Sequence, residues 1–162
     1  MKNYPRQVFE SVWSKTEPTP ARAAKLISYI PELIEALGID ASDPQAAQVF
    51  TGSSVADTCM PYSMRYGGHQ FGNWAGQLGD GRAISLGEIK DKSGQHWTLQ
   101  LKGAGPTPYS RQGDGFAVLR SSIREYMCAE AIHHLGIPTT RSLTLCTTGE
   151  SIARDVLSLI HI

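Results

Sequence analysis

The chain has 162 residues, which is enough for one ordinary domain and too few for two full ones. Hydrophobic residues make up 41% and charged residues 19%, and this supply of core-forming side chains excludes wholesale disorder. Basic and acidic residues both number 15, which excludes a general electrostatic attraction to nucleic acid or to an anionic membrane. Any bound anion must therefore be held by a local site.

Location and redox state follow from what the sequence lacks. No apolar run approaches the roughly 20 residues that span a bilayer, and residues 1–13 are too polar for a secretory signal. We therefore expect a cytoplasmic protein. Cys59, Cys128 and Cys146 are odd in number and lack the paired spacing of zinc ligands, so we expect reduced thiols rather than disulfides or a metal site.

The first predicted element is an amphipathic helix over residues 20–37. Apolar residues recur there every three or four positions, and Gly38 is placed to end the helix. Residues 40–66 are small and polar with two proline breaks, so we expect irregular chain with at most a helical turn at residues 46–50.

Glycine occurs six times between Tyr66 and Gly81, far above its usual share of about 7%. This density predicts a glycine-rich loop. Without Cβ atoms, the backbone N–H groups of such a loop can approach phosphate oxygens closely and form an anion-binding nest. Arg82 directly follows and can add a bidentate fork to a phosphate. Tight turns explain the earlier glycines equally well: Gly67, Gly68, Gly72 and Gly76.

Two hairpins and a helix are predicted in the second half of the chain. The β-rich runs at residues 83–89 and 97–102 form the first hairpin, turning at residues 92–94, and a loop follows to Gly115. A helix is predicted over residues 118–135, with Gly136 and Pro138 to close it. Residues 139–146 and 150–156 predict a second hairpin that turns at residues 147–149.

A chemical role follows from the order of these elements. A lysine at the end of a strand can lie beside nucleotide phosphates, and a glutamate on the next helix can hold its ammonium group. Lys102 and Glu125 fit these two positions. Taken alone, Lys102 would be a solvated strand-end lysine, and Glu125 a surface residue paired with Arg120 or Arg124. Combined with the glycine-rich segment, they indicate the N-lobe of a kinase-like protein.

At this level of detail the chain resembles the selenoprotein O family. The resemblance covers residues 9–155 and rests on long blocks that are specific to the family: YGGHQFG at 66–72, WAGQLGDGR at 74–82, LKGAGPTPYSR at 101–111, GDG at 113–115, LRSSIRE at 119–125 and LGIPTTR at 135–141. It implies an α+β fold, specifically a protein-kinase-like N-lobe in which a helix packs on an antiparallel sheet, incomplete relative to the full family fold.

The same resemblance implies a protein adenylyltransferase. Members bind ATP in a flipped orientation with Mg or Mn and transfer AMP to Ser, Thr or Tyr hydroxyls of protein substrates. Nucleic acid and membranes are not expected partners. Seven residues match the family's nucleotide contacts, with Glu125 as the ion-pair partner of Lys102: Gly79, Gly81, Arg82, Lys102, Asp114, Gly115 and Glu125.

The chain departs from the family in two respects. Phe116 stands where the family pattern has an arginine beside the nucleotide loop. The family's catalytic aspartate and its metal ligands lie beyond Ile162, so we expect no catalytic residue, no metal ligand and no appreciable transferase activity in this chain alone.

Three segments are expected along the chain. A helical or irregular extension covers residues 1–65, the kinase-like N-lobe with its nucleotide loop covers residues 66–156, and an aberrant tail covers residues 157–162. Two other functions remain open at this point. The chain is either an ATP- or phosphate-binding module without catalysis, or a structural domain whose glycines serve only turns.

Overall fold

The computed structural model describes residues 9–153, so the predicted tail at residues 157–162 lies outside the described residues. A 3-10 turn at Glu10–Val12 opens this part of the chain. The strands and helices, in chain order, are β1 (Trp13–Lys15), β2 (Lys25–Tyr29), α1 (Pro31–Leu37), α2 (Ala46–Phe50), β3 (Tyr62–Gln70), β4 (Asn73–Gly79), β5 (Ala83–Lys90), β6 (His96–Lys102), α3 (Leu119–His134) and β7 (Thr144–Thr147).

The main sheet is antiparallel and carries the order β1-β3-β5-β6, with β4 paired to β3. Strand β3 pairs with β4 from Arg65 opposite Gly79, and with β5 at Tyr62 opposite Ser85. Arg65 and Tyr62 are thus close together on β3, whereas their partners Gly79 and Ser85 lie further apart along the chain. The surplus chain between β4 and β5 leaves the sheet as a short excursion at residues 80–82.

Strand β5 lies at the centre of this sheet, and residues 83–87 are all buried. It forms the predicted hairpin with β6, in which Ala83 lies opposite Lys102. Asp91 organises the turn: its Oδ1 accepts the N–H of Ser93 at 2.8 Å, and its Oδ2 accepts the indole N–H of Trp97 at 2.9 Å. The first hairpin prediction is confirmed.

The helix predicted over residues 20–37 is wrong in its first half. Lys25–Tyr29 is strand β2, whose exposure alternates along the chain, and it pairs antiparallel with β7. Helix α1 begins only at Pro31, a residue whose fixed φ suits the first turn of a helix. Gly38 then ends the helix with φ at +65°, as predicted. Helix α2 confirms the helical turn at residues 46–50.

The glycine-rich segment is a hairpin rather than the predicted loop. Strands β3 and β4 contain most of it, and the chain turns at Phe71 and Gly72. A Cβ at Gly67 would lie 2.8 Å from the ring of Trp74, so the indole of β4 covers the glycine on β3. A glycine in a strand can thus make room for a large ring on the neighbouring strand, so a high glycine content does not by itself indicate a loop.

The second predicted hairpin is also wrong. Strand β7 pairs with β2, far earlier in the chain, and residues 150–153 form no strand. Residues 154–156 of the prediction lie outside the described residues. The pairing continues beyond the strands, since Ala23 donates its N–H to the carbonyl of Thr148 at 2.7 Å and Ile30 donates to Leu143 at 3.0 Å.

Helix α3 confirms the helix predicted over residues 118–135. It ends where Gly136 takes a positive φ of 76° and Ile137 donates its N–H back to Ile132 at 3.2 Å. In residues 9–153, no helix is long and apolar enough to cross a membrane. Strand β3 runs through the predicted boundary at residue 65, which itself stays a prediction.

Candidate functional site

The candidate site is centred on one carboxylate that holds two cations. The Nζ atom of Lys102 lies 3.1 Å from Oε2 of Glu125, and Nη2 of Arg82 lies 3.1 Å from Oε1 of the same side chain. Each cation therefore has its own carboxylate oxygen. All three side chains are partly exposed, with Lys102 the most accessible at 54% of its side-chain surface.

The sheet brings the two cations together. Because Ala83 lies opposite Lys102, the residue before β5 lies beside the end of β6. The backbone closes this corner, since Gly103 donates its N–H to the carbonyl of Arg82 at 2.7 Å. Helix α3 supplies Glu125 from its second turn. The sequence order predicts Lys102 beside Glu125, but nothing in the spacing of the residues indicates that Arg82 shares the carboxylate.

Hydrogen bonds tie the excursion between β4 and β5 to the two strands of the glycine-rich hairpin. Asp80 donates its N–H to the carbonyl of Met64 and accepts the N–H of Met64 on Oδ2, both at 2.9 Å. Gly81 donates its N–H to the carbonyl of Gly79 at 2.8 Å. The backbone N–H groups of Asp80 and Gly81 thus already have partners within the chain, and the anion-binding nest stays a prediction.

Gly79 at the end of β4 and Gly81 in the excursion have a packing reason. The loop after β6 lies against them: Thr107 donates its hydroxyl to the carbonyl of Asp80 at 2.7 Å, and Ser110 donates to that of Gly81 at 2.5 Å. A Cβ at Gly79 would lie 2.5 Å from Cγ of Tyr109, and one at Gly81 would lie 3.0 Å from the carbonyl oxygen of Tyr109. A phosphate contact by either glycine stays a prediction.

Asp114 and Gly115 lie on a separate part of this loop. The Asp114 carboxylate accepts the N–H of Phe116 at 3.0 Å and is exposed, while Gly115 is buried with φ at +74°. A Cβ at Gly115 would collide with the backbone of Gly105, whose N–H donates to the carbonyl of Gly115 at 3.3 Å. A nucleotide contact by Asp114 or Gly115 stays a prediction.

A large cavity opens beside the cluster. Its volume is about 1120 Å³, and its lining includes Lys102, Glu125 and Phe116 together with apolar residues of α1, α2, β5 and β6. The other five predicted site residues do not line it. Phe116 therefore lines the same cavity as the ion pair with an aromatic side chain, where an arginine would contribute a further cation.

Two titratable residues near the glycine-rich hairpin, Asp80 and Tyr66, were not predicted from the sequence as part of the site. Burial raises the pKa of the Asp80 carboxyl above its ordinary value, while the N–H of Met64 and the ammonium of Lys102 act in the opposite direction. Burial, and then the charge of Asp80, raise the pKa of Tyr66, whose hydroxyl donates to the carbonyl of Gly79 at 3.1 Å. A half-buried titratable group beside a charged cluster, as Asp80 is, is typical of functional sites, whereas Tyr66 is 48% exposed.

The described residues do not fit a divalent metal. Residues 9–153 contain no group of three His, Cys, Asp or Glu side chains close enough to hold one. Both oxygens of Glu125 are occupied by cations, and one oxygen of Asp80 accepts a backbone N–H. We therefore assign no step of the chemistry to a metal bound by these residues.

A family profile and similar curated proteins point to the same family. The profile of the family "Protein adenylyltransferase SelO" matches residues 4–158. The chain is 58% identical over 154 residues to the protein nucleotidyltransferase YdiU of Azoarcus sp. (strain BH72), covering 93% of this chain and 30% of that protein. It is 54% identical over 158 residues to the protein of the same name from Rhodopirellula baltica, covering 96% and 29%.

These matches extend over almost the whole chain. A third relative, the protein nucleotidyltransferase YdiU of Xanthomonas axonopodis pv. citri, is 55% identical over 154 residues, with 93% of this chain and 30% of the relative covered. The chain thus spans about 30% of the length of the curated relatives it matches. The mixed fold of antiparallel sheets and few helices is consistent with the expected α+β N-lobe. The chain belongs to the protein adenylyltransferase SelO family.

Proposed function

We propose that this chain binds ATP at the cluster of Arg82, Lys102 and Glu125, as the nucleotide-binding portion of a protein adenylyltransferase. The observation that carries the proposal is the shared carboxylate, which holds two cations at the end of β6 next to the glycine-rich hairpin. Lysine and arginine side chains fixed in this way suit a polyphosphate, because each can donate charge-assisted hydrogen bonds to its oxygens.

The proposed chemistry of the complete protein is AMP transfer. A hydroxyl of a Ser, Thr or Tyr side chain on a protein substrate would attack the α-phosphorus of ATP, and pyrophosphate would leave. Lys102 and Arg82 would orient the phosphates and balance their charge, while Glu125 keeps both cations in place. Magnesium or manganese, when bound by other parts of a complete family member, would supply further charge neutralisation.

Calorimetric titration of the chain with ATP tests the binding site. Replacing Lys102 by alanine removes a charged partner worth about 1.5–3 kcal/mol, so we expect affinity to fall by roughly tenfold or more. Lys90→Ala is the matched control, because Lys90 is an exposed lysine at the opposite end of the same hairpin. Equal ATP affinity of the Lys102→Ala variant and the unaltered chain would refute the site.

The alternative function is an ATP- or phosphate-binding module without catalysis. It requires only the two cations that Glu125 holds, Arg82 and Lys102, and no residue that takes part in group transfer. Incubation with labelled ATP, magnesium or manganese and a protein acceptor distinguishes the two functions. We expect binding without AMP incorporation from this chain, because it spans only about 30% of the length of the nucleotidyltransferases it matches. Robust labelling of the acceptor would contradict that expectation.

A further inference from the structure

Helix α3 carries Glu125 but is hardly anchored by apolar packing. Glu130 is its one buried residue among the described side chains. Apolar side chains that usually fix a helix to its domain are exposed instead, with Met127 at 64%. The position of this helix must therefore depend largely on polar contacts.

The strongest of these contacts joins Glu130 to Arg141. The guanidinium donates from Nε to both carboxylate oxygens, at 2.9 and 3.0 Å, and from Nη2 to Oε2 at 2.6 Å. Ser142 adds its backbone N–H to Oε1 at 3.0 Å. The two side chains are only 11% and 14% exposed, so this clamp is shielded from water far better than the cluster at Glu125.

The clamp ties α3 to the small sheet rather than to the main one. Arg141 precedes β7, and Leu143, the residue directly before β7, accepts the N–H of Ile30 at 3.0 Å. A weaker contact supports the same connection, since the hydroxyls of Tyr126 on α3 and Ser28 on β2 lie 3.1 Å apart. Helix α3 is therefore held at Glu125 by the β5–β6 corner and at Glu130 by the β2–β7 sheet.

We propose that Arg141 and Glu130 are positioning residues for the nucleotide site, acting through Glu125. Glu125 lies five residues before Glu130 on α3, about 7.5 Å along the helix axis. A multiply bonded arginine–carboxylate pair fixes both direction and distance, so it sets the rotation and the axial position of the helix. The placement of Glu125 against Lys102 and Arg82 follows from that setting.

The charge state of the clamp is suited to this role at neutral pH. Hydrogen bonds from Arg141 hold the pKa of the Glu130 carboxyl below its ordinary value, and hydrogen bonding to Glu130 raises the pKa of Arg141. Both groups are therefore ionised near pH 7, and their hydrogen bonds are charge-assisted. This proposal rests on the proposed function only in that the positioned site is the ATP site.

A double-mutant cycle on ATP affinity tests the positioning role. Glu130→Gln keeps the shape of the side chain but removes its charge, and we expect about tenfold weaker ATP binding, equivalent to ~1.4 kcal/mol. In a Glu125→Gln background the same substitution should change affinity by less than about twofold, because its effect passes through Glu125. An equal loss in both backgrounds, or no loss in either, would overturn the proposal.

Hydrogen exchange on the ATP-free chain tests the same idea without any ligand. We expect Glu130→Gln to speed the exchange of amides at residues 119–127, all but the last of which lie more than a turn away from the substitution. Faster exchange confined to residues 128–135 would show a purely local role and would contradict the proposal. If the chain binds no ATP, the proposed function fails while this measurement still decides the positioning role.

Two further variants keep the test informative. Arg141→Lys retains the positive charge but loses the bidentate fork, so it should reproduce the effects of Glu130→Gln if that variant folds poorly. Arg124→Lys is the matched control, because Arg124 is exposed on the same helix. We expect this control to leave both ATP affinity and exchange at residues 119–127 unchanged.

Discussion

Replacing Gly79 by alanine tests whether this glycine is needed for packing against Tyr109, rather than only for close approach to a phosphate. The new Cβ would lie 2.5 Å from Cγ and 2.7 Å from Cβ of Tyr109, and 2.8 Å from the carbonyl oxygen of Met64. Tyr109 has little freedom to move away, because its hydroxyl lies 2.8 Å from Oγ of Ser14 and its N–H donates to Thr107 at 3.0 Å. The substitution therefore strains a fixed contact.

The magnitude follows from the cost of overpacking, which is about 1–3 kcal/mol for an inserted methyl-sized group. The φ of Gly79 lies outside the left-handed region, so no backbone penalty is added. In a chain of this size a change of 1 kcal/mol shifts the melting temperature by about 2–4 °C, and we expect a fall of roughly 2–12 °C. Thermal unfolding without ATP, followed by circular dichroism, measures it.

Gly68→Ala is the matched control for this experiment. Gly68 lies on the same β3–β4 hairpin, also outside the left-handed region, and its new Cβ would meet only Cδ1 of Leu78 at 3.2 Å. The end of a leucine side chain can shift at little cost, so stability should change by less than about 0.5 kcal/mol. An unchanged melting temperature for Gly79→Ala would refute packing as the reason for this glycine.

Further predictions concern titration and surface packing. The pKa of Asp91 is about 2, chiefly because its carboxylate accepts a hydrogen bond from the hydroxyl of Ser93, and an NMR titration of the carboxyl would show this value. The stabilisation that the ionised carboxylate gives the fold is present above pH 3.8 and is lost as the pH falls toward 2. The pKa of Glu130 is lowered by the hydrogen bonds from Arg141, so ionised Glu130 likewise stabilises the fold at pH values above 4.5, the ordinary pKa of a glutamate. Glu130→Gln should therefore make the free energy of unfolding less dependent on pH on the acid side. The exposed apolar side chains of α3 should make the chain self-associate, and Met127→Glu should reduce this association in light scattering, because Met127 is 64% exposed.

Elements with local signals could be predicted from the sequence. The β5–β6 hairpin has a turn sequence between two β-rich runs, and α3 has sixteen residues on a helical period with Gly136 after it. Strands β2 and β7 could not be predicted in the same way, because each finds its partner more than a hundred residues away. In a five-residue strand, helical and strand periods give nearly the same apolar pattern, so the long-range pairing decides.

Only the part of the site that follows from the order of strands and helices along the chain could be predicted. A strand lysine and a helix glutamate indicate each other, whereas the excursion that delivers Arg82 depends on how β4 and β5 share β3. The roles of Gly79 and Gly115 could not be inferred either, because their close neighbours, Tyr109 and Gly105, lie elsewhere in the folded loop. Glycine content shows where backbone approaches something closely, but not what it approaches.

The shared carboxylate has opposing effects on an incoming polyphosphate. Fixing a lysine and an arginine before the ligand arrives removes rotamer freedom, about 2 kcal/mol for each side chain, that binding would otherwise have to remove. Glu125 also competes with the phosphate, because each of its oxygens already accepts one cation at 3.1 Å. The partial exposure of all three groups weakens this competition by solvent screening, while the geometry is kept by the backbone corner at Gly103 and by the clamp at Glu130. At the proposed ATP site this preorganisation lasts only as long as α3 holds its position, which makes the anchoring of that helix a condition for the proposed binding.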